Sequence, residues 1–181
     1  MSRTQLRHAS RATALVAITV LLASCGPVKR PDGGTGLLPV GAPAPDLEAR
    51  DVTGQSVRLS DVRGHAAVVY FYPKDETPGC THEACAFRDA FRRYEAKKIT
   101  IFGVSRDSYD SHKQFRLHYS IPFPLVADED GSVDRAYGVP NTLGMSKRVT
   151  FLIGADGKVA RVWPDVDPAI HADEVLAAAG P

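Results

Sequence analysis

Two cysteines five positions apart carry the clearest chemistry in this sequence. Cys80 and Cys85 lie in residues 73–85 (PKDETPGCTHEAC), between a strongly apolar run and a segment with helical spacing. In α/β proteins, catalytic and ligand-binding groups collect at such junctions, beyond the carboxyl ends of the strands. A thiol there can act as a nucleophile, as a metal ligand or as one half of a disulfide bond.

The predicted helix start favours Cys80 as the nucleophile. Residues 77–79 (TPG) form a helix entry, which places Cys80 in the first turn. Free backbone N–H groups and the positive end of the helix dipole stabilise a thiolate at that position. Cys85 lies one and a half turns further along, beyond the reach of the dipole, and we expect it to rest as a thiol.

A structural disulfide is the first alternative, because an even pair of thiols is commonly joined when a protein is exported, as the amino terminus described below predicts. On one regular helix, residues five apart have Cα atoms roughly 8–9 Å apart by helix rise and radius. Disulfides rarely tolerate a Cα separation above about 7 Å. Cys80 and Cys85 can therefore join only if the helix unwinds, which favours a redox-active pair over a permanent crosslink.

The elements that must position these thiols follow an α/β rhythm. Residues 66–72 and 99–105 are continuous apolar runs typical of strands buried on both faces. Helices are predicted from Gly79, with Phe87, Phe91 and Tyr94 on one face, near 108–119, up to Tyr137, and over 168–179. Further strands are predicted at 47–51, 56–59, 124–127, 149–153 and 158–163. This order predicts an α/β fold with a mixed central sheet and helices on both faces.

The amino terminus has the features of a secretory signal. Residues 1–11 are basic and polar, residues 12–23 are apolar, and small residues follow. Leu22-Ala23-Ser24-Cys25 resembles a bacterial lipobox, which implies cleavage after residue 24 and a lipid on Cys25. The alternatives are a plain secreted protein and, less favoured, an uncleaved anchor. Residues 25–36, rich in Gly and Pro, are expected to form an unpacked lipidated tether.

Composition indicates one soluble domain, predicted over residues 37–181. The chain has 181 residues with 44% apolar and 24% charged residues, which is ordinary for a globular protein. Its formal charge is +1, but Arg3, Arg7 and Arg11 lie in the signal, so the remainder is slightly acidic. A slightly acidic domain without a basic cluster is a poor candidate for nucleic-acid binding.

The residues around Cys80 resemble the peroxiredoxin family. Residues 73–80 fit the pattern Pro, three residues, Thr, two residues, Cys, and residues 81–85 (THEAC) resemble the peroxiredoxin Q branch, also called bacterioferritin comigratory protein. The similarity continues through residues 103–105 (GVS), 121–125 (IPFPL), 137–140 (YGVP) and 148–153 (RVTFLI). It extends over nearly all of residues 37–179, in the order found in the family.

This resemblance implies a thioredoxin-like fold and a thiol-dependent peroxidase without metal or organic cofactor. Cys80 matches the peroxidatic cysteine, and Cys85 matches the resolving cysteine that forms an intrachain disulfide with it. Arg148 matches the arginine beside the thiolate. Thr77 is expected to contribute a hydroxyl donor, and Pro73 to shield the pocket from water.

The implied partners are a peroxide, an extracytoplasmic thioredoxin-like reductant and, through Cys25, a membrane. We expect a monomer or a weak dimer on the extracytoplasmic or periplasmic side of a bacterial cell envelope. The competing interpretation is a membrane-tethered copper or zinc protein using Cys80, His82 and Cys85, although such sites favour closer cysteines. A thiol–disulfide oxidoreductase, expected to have C-x-x-C, and a non-catalytic surface domain are further alternatives.

Several polar residues have a simpler interpretation from sequence alone. Glu83 is expected to be a first-turn acid that complements the helix dipole, with contact to the active-site arginine as the less favoured alternative. His112 and His171 share no spacing with other candidate ligands and are expected at the surface. Trp163 is expected to pack in the core.

Overall fold

A computed structural model describes residues 26–51 and 53–180 of the chain. Its strands are β1 (Glu48–Arg50), β2 (Ser56–Arg58), β3 (Ala67–Phe71), β4 (Thr100–Ser105), β5 (Leu125–Ala127), β6 (Asn141–Thr142), β7 (Met145–Ser146), β8 (Val149–Ile153) and β9 (Val159–Trp163). Its α-helices are α1 (Pro78–Ala96), α2 (Tyr109–Tyr119), α3 (Ser132–Tyr137) and α4 (His171–Ala178). The lipobox and Cys25 lie outside the described residues.

Seven of these strands form one mixed sheet in the order β2-β1-β5-β4-β3-β8-β9. The central strands β3, β4 and β5 run parallel. On the two sides, β8 pairs antiparallel with β3 and β1 pairs antiparallel with β5, and the edge strands β9 and β2 pair antiparallel with β8 and β1. All five residues of β3 and of β8 are buried, as expected for strands covered on both faces. The predicted mixed sheet is confirmed.

Alternate residues of β3 point into two separate hydrophobic clusters, one on each face of the sheet. Val68 and Tyr70 join the cluster formed with α1, α2 and α4. Val69 and Phe71 join the cluster that contains Tyr137 of α3. Helices therefore cover both faces, as predicted. The stripe predicted on α1 is also observed, with Phe87 and Tyr94 fully buried and Phe91 partly buried against the same cluster.

The segment expected to be an unpacked tether is folded from Val28 onward. Lys29 and Thr35 form an isolated antiparallel bridge, and the Gly36 N–H donates to the Val28 carbonyl oxygen at 2.7 Å. The Arg30 guanidinium donates to the carbonyl oxygens of Gly36 at 2.8 Å and Leu37 at 3.2 Å. The expectation that residues 28–36 form an unpacked tether is therefore wrong. The Arg30 guanidinium holds this segment in place by donating hydrogen bonds to carbonyl oxygens that otherwise lack partners.

Three smaller features of the structure also differ from the sequence expectations. Leu59–Val62 forms a short 3-10 helix, and residues 141–146 contain the β6–β7 hairpin, for which the sequence predicts no strands. His112 and His171 are buried, not at the surface. Within the described ranges, no helix combines the length and apolar character needed to cross a membrane.

Candidate active site

The site is built where the carboxyl end of β3 leads into α1. Cys80 lies in the first turn of α1, is 1% exposed, and is a free thiol. Pro78 occupies the first helical turn, where its missing N–H is tolerated. The N–H groups of this turn have no acceptor within the helix, so they remain available to an anion.

Arg148 reaches Cys80 because of the strand pairing. Strand β8 pairs antiparallel with β3, with Val149 opposite Phe71. Arg148 immediately precedes β8, so it lies at the same edge of the sheet as the loop that follows β3. Its Nη2 donates to the Cys80 sulfur at 3.2 Å. A guanidinium in this position stabilises a thiolate and the negative charge that develops as the sulfur reacts.

Glu83 is the residue for which the favoured sequence interpretation, a first-turn acid beside the helix dipole, is wrong. It is fully buried one turn after Cys80, and its Oε2 accepts a hydrogen bond from Nη1 of Arg148. Burial raises the pKa of Glu83 to about 7, although the charge of Arg148 acts in the opposite direction. One guanidinium therefore bridges a buried carboxyl and the sulfur, and the less favoured alternative for Glu83 is the one observed.

Two buried polar atoms beside this bridge have no hydrogen-bond partner in the described part of the chain. They are Oε1 of Glu83 and the hydroxyl of Tyr70. Burial raises the pKa of Tyr70 well above its ordinary value, and the neighbouring Glu83 adds to this effect. Tyr70 is therefore a neutral phenol, buried on the α1 face of the sheet.

Thr77 and Pro73 lie in the loop that leads to α1, as predicted. Thr77 precedes the helix with extended backbone, and its side chain caps no helix N–H. Its hydroxyl donates to the Lys74 carbonyl oxygen at 2.9 Å. The only proton of this hydroxyl is thus committed, so Thr77 can face a substrate as an acceptor; the donor role expected from sequence does not fit this geometry. Pro73 is partly buried, and its shielding role stays a prediction.

Cys85 is partly exposed, free and on the same continuous helix as Cys80. The structure therefore represents the form in which the two thiols are separate. The interaction with Cys85 is one of the influences that raise the pKa of Arg88, after the hydrogen bond with Asp89. The pairing of Cys80 with Cys85 stays a prediction that requires the helix to open.

The geometry gives no support to the metal-binding alternative. His82 is exposed whereas Cys80 is buried, since residues two apart point to different sides of a helix. Across residues 26–51 and 53–180, no cluster of three or more His, Cys, Asp or Glu side chains is placed to hold a metal ion. A buried thiol beside a fixed cation instead defines a site for nucleophilic sulfur chemistry.

Comparison with known proteins identifies the family. The model of the AhpC/TSA family matches residues 40–162. A putative peroxiredoxin Bcp of Coxiella burnetii is 39% identical over 144 residues, which cover 76% of this chain and 95% of that protein. Peroxiredoxin Bcp of Bacillus subtilis is 39% identical over 145 residues, covering 76% and 92% respectively.

Solved structures show the same relationship. Peroxidoxin BcpB of Mycobacterium tuberculosis superposes with a TM-score of 0.70 at 35% identity, covering 77% of this chain and 95% of that one. Bacterioferritin comigratory protein of Xanthomonas campestris gives 0.67 at 39% identity, covering 74% and 89%. The chain therefore belongs to the AhpC/TSA family, in its peroxiredoxin Q/Bcp branch, and is a thiol-dependent peroxidase with a thioredoxin-like fold.

Proposed function

We propose that Cys80 is the peroxidatic residue and that it reduces hydrogen peroxide and organic hydroperoxides. The observation that carries this assignment is the Arg148 guanidinium, which joins the Cys80 sulfur to the buried Glu83 carboxyl. The description of the Xanthomonas campestris relative by its alkyl peroxide reduction activity supports the inclusion of organic peroxides.

The first step transfers one oxygen to sulfur. The Cys80 thiolate attacks the O–O bond, the leaving oxygen takes a proton and departs as water or an alcohol, and Cys80 becomes a sulfenic acid. Arg148 stabilises negative charge first on the sulfur and then along the breaking bond. Thr77, whose proton is held by the Lys74 carbonyl, accepts a hydrogen bond from the peroxide and so orients it.

The second step joins the two cysteines. The Cys85 thiol attacks the sulfenic sulfur, one S–S bond forms and water leaves. An external dithiol then reduces the disulfide, itself becoming a disulfide, and restores both thiols. We propose that this dithiol belongs to an extracytoplasmic thioredoxin-like protein, and that the enzyme is attached by a lipid on Cys25 to the outer side of a bacterial membrane.

The assignment is tested by single-turnover and steady-state assays on two cysteine variants. Cys80→Ser is expected to abolish peroxide consumption in the presence of a dithiol. Cys85→Ser is expected to consume about one equivalent of peroxide and then to accumulate Cys80 sulfenic acid, detected as a 16 Da increase by intact mass (one oxygen atom). Full activity of Cys80→Ser would overturn the assignment, and normal turnover of Cys85→Ser would remove the resolving role of Cys85.

A further inference from the structure

A buried polar cluster lies beneath the loop that leads to Cys80, outside the machinery described above. Asp75 and His112 are only 4% and 2% exposed. Asp75 accepts three hydrogen bonds through its carboxylate: from the Tyr72 hydroxyl at 2.8 Å, the Ser111 hydroxyl at 2.7 Å and Nδ1 of His112 at 2.9 Å. The other ring nitrogen of His112, Nε2, lies 3.1 Å from the Val126 carbonyl oxygen.

The partners of His112 determine its protonation. A carbonyl oxygen can only accept, so Nε2 carries a proton. Nδ1 faces Oδ2 of Asp75, which also accepts from the Ser111 hydroxyl, while Oδ1 accepts from the Tyr72 hydroxyl. Nδ1 therefore donates a proton to this carboxylate as well. Both ring nitrogens of His112 therefore donate, one to the Val126 carbonyl and one to the Asp75 carboxylate. In agreement with this, hydrogen bonds from His112, Ser111 and Tyr72 lower the pKa of Asp75, although burial alone would raise it.

This pair connects the loop before α1 to three other elements. The Asp75 backbone N–H donates to Asp107 at 2.9 Å, and Asp107 is held in turn by the Ser105 hydroxyl at the end of β4. His112 belongs to α2 and reaches β5 through Val126. Asp75 thus fixes the backbone five residues before Cys80 against α2, β4 and β5.

The next residue in the loop has a conformation that depends on such support. Glu76 has φ of 59°, in the left-handed region that residues with a side chain rarely adopt. A strained backbone persists only where surrounding contacts hold it. If the Asp75–His112 pair is lost, the loop can relax and the first turn of α1, which begins two residues after Glu76, loses its fixed entry.

We propose that Asp75 and His112 are positioning residues that hold the first turn of α1 in helical form and thereby set the balance between the two steps at Cys80. The helical form presents Cys80 to Arg148 for reaction with peroxide, whereas joining Cys80 to Cys85 requires this turn to open. This inference rests on the proposed disulfide cycle. It gives the pair opposite effects on the two steps, because the pair accelerates the first and restrains the second.

The test measures both steps in the reduced protein by quenched flow and intact mass analysis. In Asp75→Asn and in His112→Gln, the rate constant for sulfenic acid formation is expected to fall about tenfold or more, while disulfide formation stays the same or becomes faster. The ratio of the second rate constant to the first therefore rises at least tenfold. A merely structural lesion would leave the ratio near its original value, and that result would overturn the proposal.

Two further variants keep the test interpretable if Asp75→Asn and His112→Gln fail to fold. Ser111→Ala removes one hydrogen bond to Asp75 without leaving an unpaired charge, and the same ratio is expected to rise two- to fourfold. His171→Gln is the matched control, because His171 is equally buried but bonds the Thr150 hydroxyl instead of the loop. It is expected to reduce stability without changing the ratio; an equal change in this control would contradict the proposal.

The protonation of His112 is tested in the unmodified protein by nitrogen-15 NMR. Attached protons are expected on Nε2, which faces Val126, and on Nδ1, which faces Asp75; the absence of a proton on Nδ1 would overturn the inference. Failure of the proposed function is distinguishable, because the wild-type protein would then form no disulfide after peroxide. Failure of the positioning role would appear only in the variants.

Discussion

At the scale of single residues, Arg148 is the group that distinguishes this site from an ordinary buried cysteine. Its two terminal nitrogens serve different partners, with Nη1 on Glu83 and Nη2 on the Cys80 sulfur. Lysine has the same charge but only one nitrogen, so it cannot occupy both positions. The geometry of the guanidinium, in addition to its charge, is thus required to stabilise the sulfur while satisfying the buried carboxyl.

Arg148→Lys is therefore expected to slow the reaction of reduced protein with peroxide about 10²- to 10³-fold, the usual effect of removing a preorganised donor. The second-order rate constant from stopped-flow measurements provides the check. Arg93→Lys is the matched control, since Arg93 forms only an exposed ion pair with Asp173 and its substitution is expected to leave the rate unchanged. A rate for Arg148→Lys within about threefold of wild type, a difference of about 0.7 kcal/mol, would contradict this role.

Glu83 links the site to the pH dependence of stability. Its pKa is raised by burial from 4.5 to about 7, so between these values the folded protein binds a proton that the unfolded chain does not. The stabilisation from this group is complete below pH 4.5 and is lost as the pH rises through 7. When the pH is raised from about 5 to about 8, the free energy of unfolding of the wild type is expected to fall more than that of Glu83→Gln. The difference is on the order of 1–3 kcal/mol.

Urea unfolding of the wild type and Glu83→Gln at several pH values measures this difference. The comparison isolates Glu83, because other titrating groups are common to both proteins. A difference between the two free energies that is constant with pH, or that grows in the opposite direction, would show that Glu83 does not titrate as its burial requires. The hydrogen bond between Arg148 and Glu83 would then remain, but the effect of burial on the pKa of Glu83 would not be supported.

At the scale of elements, the proposed disulfide between Cys80 and Cys85 requires α1 to change shape. Cys80 and Cys85 lie on one continuous helix, where their Cα atoms are roughly 8–9 Å apart, beyond the limit of about 7 Å for a disulfide. Hydrogen exchange is therefore expected to become faster in the first two turns of α1 after stoichiometric oxidation, with little change in α4. Cys85→Ser treated identically is the control, and equal protection of α1 in both oxidised proteins would contradict helix opening.

The sequence predicted the elements whose pattern is local. Continuous apolar runs identified β3 and β4 because both faces of these strands are buried, and the spacing of Phe87 and Tyr94 identified α1. The β6–β7 hairpin was missed because its strands have two residues each and carry no periodicity. Its turn residue Leu143, with φ of 53°, is a type that does not signal a turn.

The polar residues of the interior were harder to predict, for a physical reason. Glu83 and His112 have the composition of surface positions on a helix, and each is buried only because a partner distant in the sequence satisfies it. The partner of Glu83 is 65 residues away and the Asp75 partner of His112 is 37 residues away. No local pattern indicates such a pairing, whereas the roles of Cys80 and Arg148 could be predicted from a family resemblance.

At the scale of the whole molecule, the folded amino-terminal segment determines how closely a lipid anchor would hold the domain. Gly138, at the end of α3, has φ of 68°, and a Cβ there would lie 1.9 Å from the Gly36 carbonyl oxygen. Glycine at this position is therefore what permits residues 28–36 to lie against the domain. Only two residues, Gly26 and Pro27, then lie between the proposed lipidated Cys25 and Val28, so the span is at most about 10 Å.

If the proposed lipid is attached to Cys25, this geometry predicts that the enzyme lies directly on the membrane surface. Gly138→Ala is expected to release residues 28–36 and to lengthen the connection to about 40 Å, so energy transfer from Trp163, the only tryptophan, to labelled lipid headgroups should weaken. Unchanged energy transfer in Gly138→Ala would show that the packed segment does not set the distance, because a longer connection must let the domain move away from the bilayer.

Cys25→Ala should abolish membrane association without changing turnover in solution. If Cys25→Ala remained in the membrane fraction, the proposed lipid anchor would be wrong.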